Sequence, residues 1–217
     1  MSSPAAQAHT DLAHAEAHGQ AVHRDYAGAK IGMWLFLFTE ILLFGGLFIL
    51  YSAYRAKYPH EFHEASNELN FVIGVINTVV LLTSSLSMAL SISAVQKGNR
   101  RLSMIFLAAT VVLGGVFLVN KYFEWMVKIH HGLYPNGPEL LKRKPGEILF
   151  FGLYFTMTGL HGLHVIAGMI VLSILLVLLA KGRIGQDDYI KLENGGLYWH
   201  LVDVIWIFLL PLFYLAA

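Results

Sequence analysis

Polar and apolar residues come in blocks along this chain. After the polar, Ala- and His-rich segment 1–30, five continuous apolar stretches follow over 31–54, 71–95, 102–126, 148–180 and 197–217. Each is long enough to cross roughly 30 Å of hydrocarbon at about 1.5 Å per residue. None shows the period-two alternation of a lipid-facing barrel strand, and only helices satisfy their own backbone in lipid one segment at a time. The pattern predicts an all-α fold, an integral membrane bundle of five transmembrane helices over 31–217. A flexible cytoplasmic tail over 1–30 precedes it, and there is no internal repeat or separate soluble domain. The tail lacks a basic stretch leading into a short apolar run and a small-residue cleavage site, so no cleavable signal peptide is expected.

Composition agrees with the pattern: 56% of the 217 residues are hydrophobic and 13% charged, with a mean hydropathy of +0.59. Fifteen Lys and Arg against 14 Asp and Glu leave no basic field for nucleic acid. The absence of cysteine removes disulfides, thiolate metal sites, iron–sulfur clusters and c-type haem attachment. Positive residues are denser in the tail (Arg24, Lys30), the second loop (Lys97, Arg100, Arg101) and the fourth (Lys181, Arg183, Lys191) than on the opposite side. That bias predicts a cytoplasmic N-terminus and an outer C-terminus. Lys30, Arg100, Arg101, Lys181 and Arg183 would then face anionic lipid headgroups, which attract a nearby basic side chain by about 1 kcal/mol.

Ionisable residues inside the spans are few, and each is costly unless paired or turned inward. They are Glu40 in the first span, Lys121 and Glu124 late in the third, His161 and His164 in the fourth, and His200 and Asp203 at the start of the fifth. Lys121 and Glu124, three apart, suggest an intrahelical ion pair near an interface. His200 and Asp203, flanked by Trp199 and Trp206, suggest a helix entry anchored in the aromatic belt. Glu40 lies about 14 Å into the first span and His164 at the middle of the fourth, so the two share a depth. A hydrogen bond between Glu40 and His164, with His161 as the alternative, would satisfy both groups without a net buried charge. His161 and His164 would project to nearly one face, which suits hydrogen bonding between helices better than a coordination sphere.

Three membrane histidines are too few for a haem-copper centre, and hydrolase, zinc-protease and P-loop motifs are absent. The tail histidines His9, His14, His18 and His23, and the loop pair His130 and His131, lack further ligands and are given no role. The chain reads as catalytically incomplete and cofactor-free. What it has is packing chemistry. Asn77, Thr78, Thr83, Ser84, Ser85, Ser87, Ser91 and Ser93 in the second span, with Gly152, Gly159, Gly162 and Gly168 in the fourth, let helices approach closely. A small, close-packed transporter would share that feature.

Five segments carry a resemblance: WLFLFTEILLFGG from Trp34, NTVVLLTSS from Asn77, KYFEW from Lys121, YFTMTGLHGLHVIAG from Tyr154 and YWHLVDVIWIFLLPLFYL from Tyr198. Together, in this order, they resemble subunit III of the haem-copper terminal oxidases of cytochrome c or quinol, in its short five-helix form. The resemblance implies a non-catalytic subunit in a bacterial cell membrane, packed against the catalytic subunit I and subunit II, with a small subunit IV as a further candidate. It implies bound phospholipid, support of proton uptake and turnover stability, and haem and copper held by the partner subunits. By position, Glu40 is the family's membrane carboxylate, Glu124 its acidic third-span residue, and His161, His164, His200 and Asp203 its polar positions in the last two spans. Lys121 departs from the glutamine usual in longer members. Those members have two more helices in front, so a complete lipid cleft within this chain is not expected. The competing assignment is an accessory subunit of a related complex, such as nitric oxide reductase.

Overall fold

The computed structural model describes residues 26–186 and 188–215. The tail histidines 9, 14, 18 and 23 therefore lie outside the described residues. The helices are α1 (Tyr26–Lys57), α2 (Pro59–Ser66), α3 (Phe71–Gln96), α4 (Arg100–His130), α5 (Pro145–Ala180) and α6 (Ile190–Leu210), with a 3₁₀ turn at Leu140–Lys142 before α5. All but α2 are long and apolar enough to cross a membrane. Contacts divide the chain at Trp34, so the first turns of α1 form one unit and Leu35–Ala217 the other.

The helix ends are chemically marked. Proline at the first position starts α2 and α5, where no backbone N–H is required. The side chains of Asn70 and Asn99 accept from the first free N–H groups of α3 and α4. Between α3 and α4 only Lys97, Gly98 and Asn99 remain. Gly98, at φ 74°, takes the left-handed conformation that stops α3, and Asn99 then caps α4. Two long helices so closely joined must run antiparallel side by side.

A polar seam holds that hairpin. Asn120 Nδ2 donates to Asn77 Oδ1 (3.0 Å), Ser87 Oγ to the Phe106 carbonyl (2.8 Å) and Ser91 Oγ to the Ser103 carbonyl (3.0 Å), while Thr110 Oγ1 reaches the Ser84 carbonyl (3.4 Å). Asn77, Ser84 and Ser91 recur every seven residues, the spacing that keeps one helix face on a close partner.

The structure departs from the hydropathy limits at α6. It begins at Ile190, seven residues before the apolar stretch at 197, because Gly195 and Gly196 are packing positions. A Cβ on Gly195 would lie 2.5 Å from Leu175 Cδ1, and one on Gly196 2.7 Å from Ile92 Cδ1. At its far end α6 widens into a π-helical turn at Pro211–Leu215, as expected where proline supplies no N–H.

Helix α2 was not expected from the sequence. It buries Phe62 and Ala65, one helical turn apart. Phe62 meets Tyr51 and Phe150 edge to face at 5.4 and 5.5 Å, and Phe213 sits 5.1 Å from Tyr51. Charges fasten the same end. Arg143 bridges Glu68 and Glu147, Lys144 pairs with Glu64, and the Glu61 carboxylate accepts from the Gly146 N–H at the start of α5.

These pairs differ in consequence. The Lys144 hydrogen bond and charge hold Glu64 below the usual carboxylate range. Whatever that pair contributes is present above the ordinary carboxylate pKa and is lost as pH falls through the lowered one. Both side chains are exposed, so Lys144→Ala is expected to leave the melting temperature unchanged. Arg143→Ala strands Glu147, whose side chain is 10% exposed, and is expected to cost roughly 1–3 kcal/mol, seen as a lower melting temperature in detergent. Equal melting temperatures for the two variants would contradict this ranking.

Candidate functional site

Glu40 on α1 and His164 on α5 meet at 2.8 Å between Oε2 and Nε2. The other ring nitrogen, Nδ1, lies 2.8 Å from the Leu160 carbonyl, which can only accept, so Nδ1 carries a proton. Nε2 then either accepts a proton from a neutral Glu40 or donates one to its carboxylate. In both states one proton lies between the groups and the pair has no net charge. Phe44 presents an edge to the imidazole at 5.4 Å, and Tyr198 Oη donates to the His164 carbonyl at 3.1 Å. The side chains remain 16% (His164) and 14% (Glu40) exposed. The pair therefore lies at the α1–α5 seam and is not sealed inside the bundle.

His161 does not share that face. It is fully buried between Phe117 of α4 (5.5 Å between rings) and Trp206 of α6 (5.3 Å), with no hydrogen-bond partner on either ring nitrogen. Residues three apart on a helix are separated by about 60° of arc. On α5 that angle is enough to send His164 toward α1 and His161 toward α4 and α6.

Lys121 and Glu124 correct the expectation of an interfacial ion pair. Both are buried, at 5% and 4% exposure. The Lys121 ammonium donates to Glu124 Oε2 (3.0 Å), Tyr154 Oη (2.9 Å) and Tyr214 Oη (2.9 Å), which uses all three of its protons. The two phenols in turn donate to Glu124 Oε1 at 2.8 and 2.5 Å. Tyr154 comes from α5 and Tyr214 from the π-helical turn, so the network ties three elements together. Sequence reading singled out neither tyrosine, since nothing local marks a tyrosine as the partner of a lysine 33 or 93 residues away.

His200 and Asp203 are likewise not a belt. With α6 starting at Ile190 they lie in its third and fourth turns, and their neighbours Trp199 and Trp206 are buried at 0% and 1% exposure. Trp199 Nε1 donates to Ser84 Oγ (3.0 Å) and its ring fills a notch left by Gly114 and Gly168. Asp203 is 2% exposed, and His200 Nδ1 lies 2.6 Å from Ser85 Oγ on α3.

Of the basic residues expected at headgroups, Arg100 is engaged within the chain. Its guanidinium donates to the Leu179 and Ala180 carbonyls, capping the end of α5. Lys30, Arg101, Lys181 and Arg183 are exposed. Among the described residues, no group of three or more His, Cys, Asp and Glu side chains is placed to hold a metal ion.

Residues 6–217 match the protein family described as cytochrome c oxidase subunit III. Cytochrome c oxidase subunit 3 of Synechocystis sp. is 32% identical over 201 residues, covering 92% of this chain and 80% of that protein. The probable quinol oxidase subunit 3 of Staphylococcus saprophyticus is 31% identical over 190 residues, covering 87% and 89%. A longer protein of Aeropyrum pernix, haem-copper oxidase subunit I+III, is 28% identical over 209 residues, which cover 93% of this chain and 24% of that one. These relatives do not favour the assignments to a nitric oxide reductase accessory subunit or a small transporter.

Proposed function

The chain belongs to the cytochrome c oxidase subunit III family, and on that premise we propose that it serves as the non-catalytic third subunit of an aerobic haem-copper oxidase in a bacterial cell membrane. It packs there against subunits I and II, which hold the haem and copper, with a small subunit IV as a further neighbour. The tail over 1–30 and the second and fourth loops face the cytoplasm, where Lys30, Arg101, Lys181 and Arg183 meet phospholipid headgroups, while Arg100 on the same side also caps the end of α5. The C-terminus faces outward. Electrons pass through the partners; this chain stabilises the catalytic subunit and supports proton uptake.

The observation that carries the proton role is the contact between Glu40 and His164. It is a net-neutral pair that must hold a proton, and it lies at the seam between two helices instead of being sealed in the core. A group that exchanges protons needs such an opening, whereas a polar clamp does not. Glu40→Gln retains a hydrogen bond to the imidazole and cannot release a proton. The variant complex is expected to assemble normally and consume oxygen at the initial wild-type rate, then to lose activity faster during turnover. Inactivation kinetics equal to wild type, with assembly intact, would leave only the clamp.

A further inference from the structure

The end of α4 opposite Arg100 holds a polar cavity that the preceding reading does not use. Its volume is about 380 Å³, and Glu68, Lys128, His131, Glu139 and Arg143 line it. That space exceeds what one water needs by more than about tenfold. Lys128, in the last turn of α4, is 9% exposed, and its ammonium donates to the Glu68 backbone carbonyl. Its other two protons have no partner among the described residues, because the Glu68 carboxylate pairs with Arg143 instead. A buried ammonium left with one carbonyl lacks the counter-charge that such a group requires. A bare anion is nevertheless a poor fit, since Lys128 and Arg143 are balanced by Glu68 and Glu139. A metal cation fits no better, since no three His, Cys, Asp or Glu side chains among the described residues converge.

Acceptors line the cavity as well. His131 Nδ1 lies 2.6 Å from the Val127 carbonyl, which can only accept, so in the neutral ring Nε2 remains an acceptor. Glu139 accepts from Lys142 through Oε1 (2.7 Å), and its Oε2 has no partner among the described residues. Both residues stand at the C-terminal end of α4, where the helix dipole also favours a positive group. Val127, a further lining residue, is followed along α4 by Phe123 and Val119 in steps of four, and all three are exposed. They make an apolar track on one helix face from the cavity into the span. We propose that this cavity binds the headgroup of a zwitterionic phospholipid, one carrying a phosphate and a primary ammonium, with an acyl chain laid along that track. The phosphate supplies the counter-charge that Lys128 lacks, and Arg143 adds Nε and Nη2, which its bonds to Glu68 and Glu147 do not use. The ammonium donates to Glu139 and to His131 Nε2. Both charges are then matched, and binding adds no net charge. The cytoplasmic headgroup contacts lie at the other end of α4, so failure of one proposal leaves the other standing.

The test is native mass spectrometry of the complex, stripped of lipid in detergent and titrated separately with phosphatidylethanolamine, phosphatidylglycerol and soluble phosphoethanolamine. Wild type is expected to gain one saturable phosphatidylethanolamine. Lys128→Met should weaken that binding about tenfold or more, as for loss of a hydrogen bond to a charged group. Glu139, whose side chain is 57% exposed, can be changed without emptying a buried site. Glu139→Gln should weaken phosphatidylethanolamine binding and leave phosphatidylglycerol binding no weaker, which keeps the test decisive if Lys128→Met does not assemble. Soluble phosphoethanolamine should bind far more weakly than the lipid, since it has no chain to lay on α4. Equal wild-type affinity for the two lipids would make this an anion site and overturns the proposal. Phosphatidylethanolamine affinity unchanged in every variant that assembles overturns it too. Soluble phosphoethanolamine binding as tightly as the lipid would assign the cavity to a free solute and overturns the lipid assignment.

Discussion

Replacing Lys121 by methionine is expected to cost about 3–5 kcal/mol of stability, the usual consequence of removing one partner from a buried ion pair. The ammonium gives all three protons to Glu124, Tyr154 and Tyr214. Its loss leaves the Glu124 carboxylate, 4% exposed, facing two phenols without a counter-charge. The cost should fall on the end of the bundle where α4, α5 and the π-helical turn meet, so the Tyr214 segment should be cleaved first in limited proteolysis. Adding Glu124→Gln removes the stranded charge, and the double variant is expected to recover most of the loss. Denaturation of the four proteins in detergent measures this as a double-mutant cycle. Additive costs would mean that the two groups do not act as a pair.

A comparable loss is expected from Trp199→Ala, at about 3–5 kcal/mol for emptying a fully enclosed indole site. The ring touches three helices besides its own. It donates to Ser84 on α3, and a Cβ on Gly114 of α4 or Gly168 of α5 would come within 2.7 or 2.9 Å of it. This geometry also predicts a compensation. Gly114→Ala should destabilise the wild-type protein by overpacking and be close to neutral when Trp199 is already alanine. Melting temperatures of the single and double variants decide it, and a Gly114→Ala cost that persists without the indole would place the clash elsewhere.

The architecture was legible because apolar block length is a strong signal: four of the five blocks each lie within one helix, and the fifth falls, over its described residues, within α6 and the π-helical turn that continues it. The Glu40 and His164 contact was legible for a narrower reason. Two ionisable groups at one depth in lipid have few other partners to choose. Errors arose where a local rule met a tertiary one. The segment 190–196 carries Lys191, Glu193, Asn194 and two glycines and resembles a loop, yet it is helical because the glycines admit Leu175 and Ile92. Lys121 and Glu124 look like a surface pair when α4 is drawn alone; the tyrosines that bury them come from elements 33 and 93 residues further on. Helix α2 is eight residues of mixed polarity, and its only advance signals are Pro59 and the spacing of Phe62 and Ala65.

The seam between α3 and α4 bears on how the chain is made. Asn77, Ser87 and Ser91 find their partners on a helix that does not yet exist when α3 leaves the ribosome. Helix α4 is 31 residues long, so at roughly 5–20 residues per second its synthesis takes about 2–6 s. For that interval α3 presents an amide and several hydroxyls with nothing in hydrocarbon to receive them. The insertion machinery, or water within it, has to shelter that face until α4 arrives, so α3 and α4 should pass into lipid together.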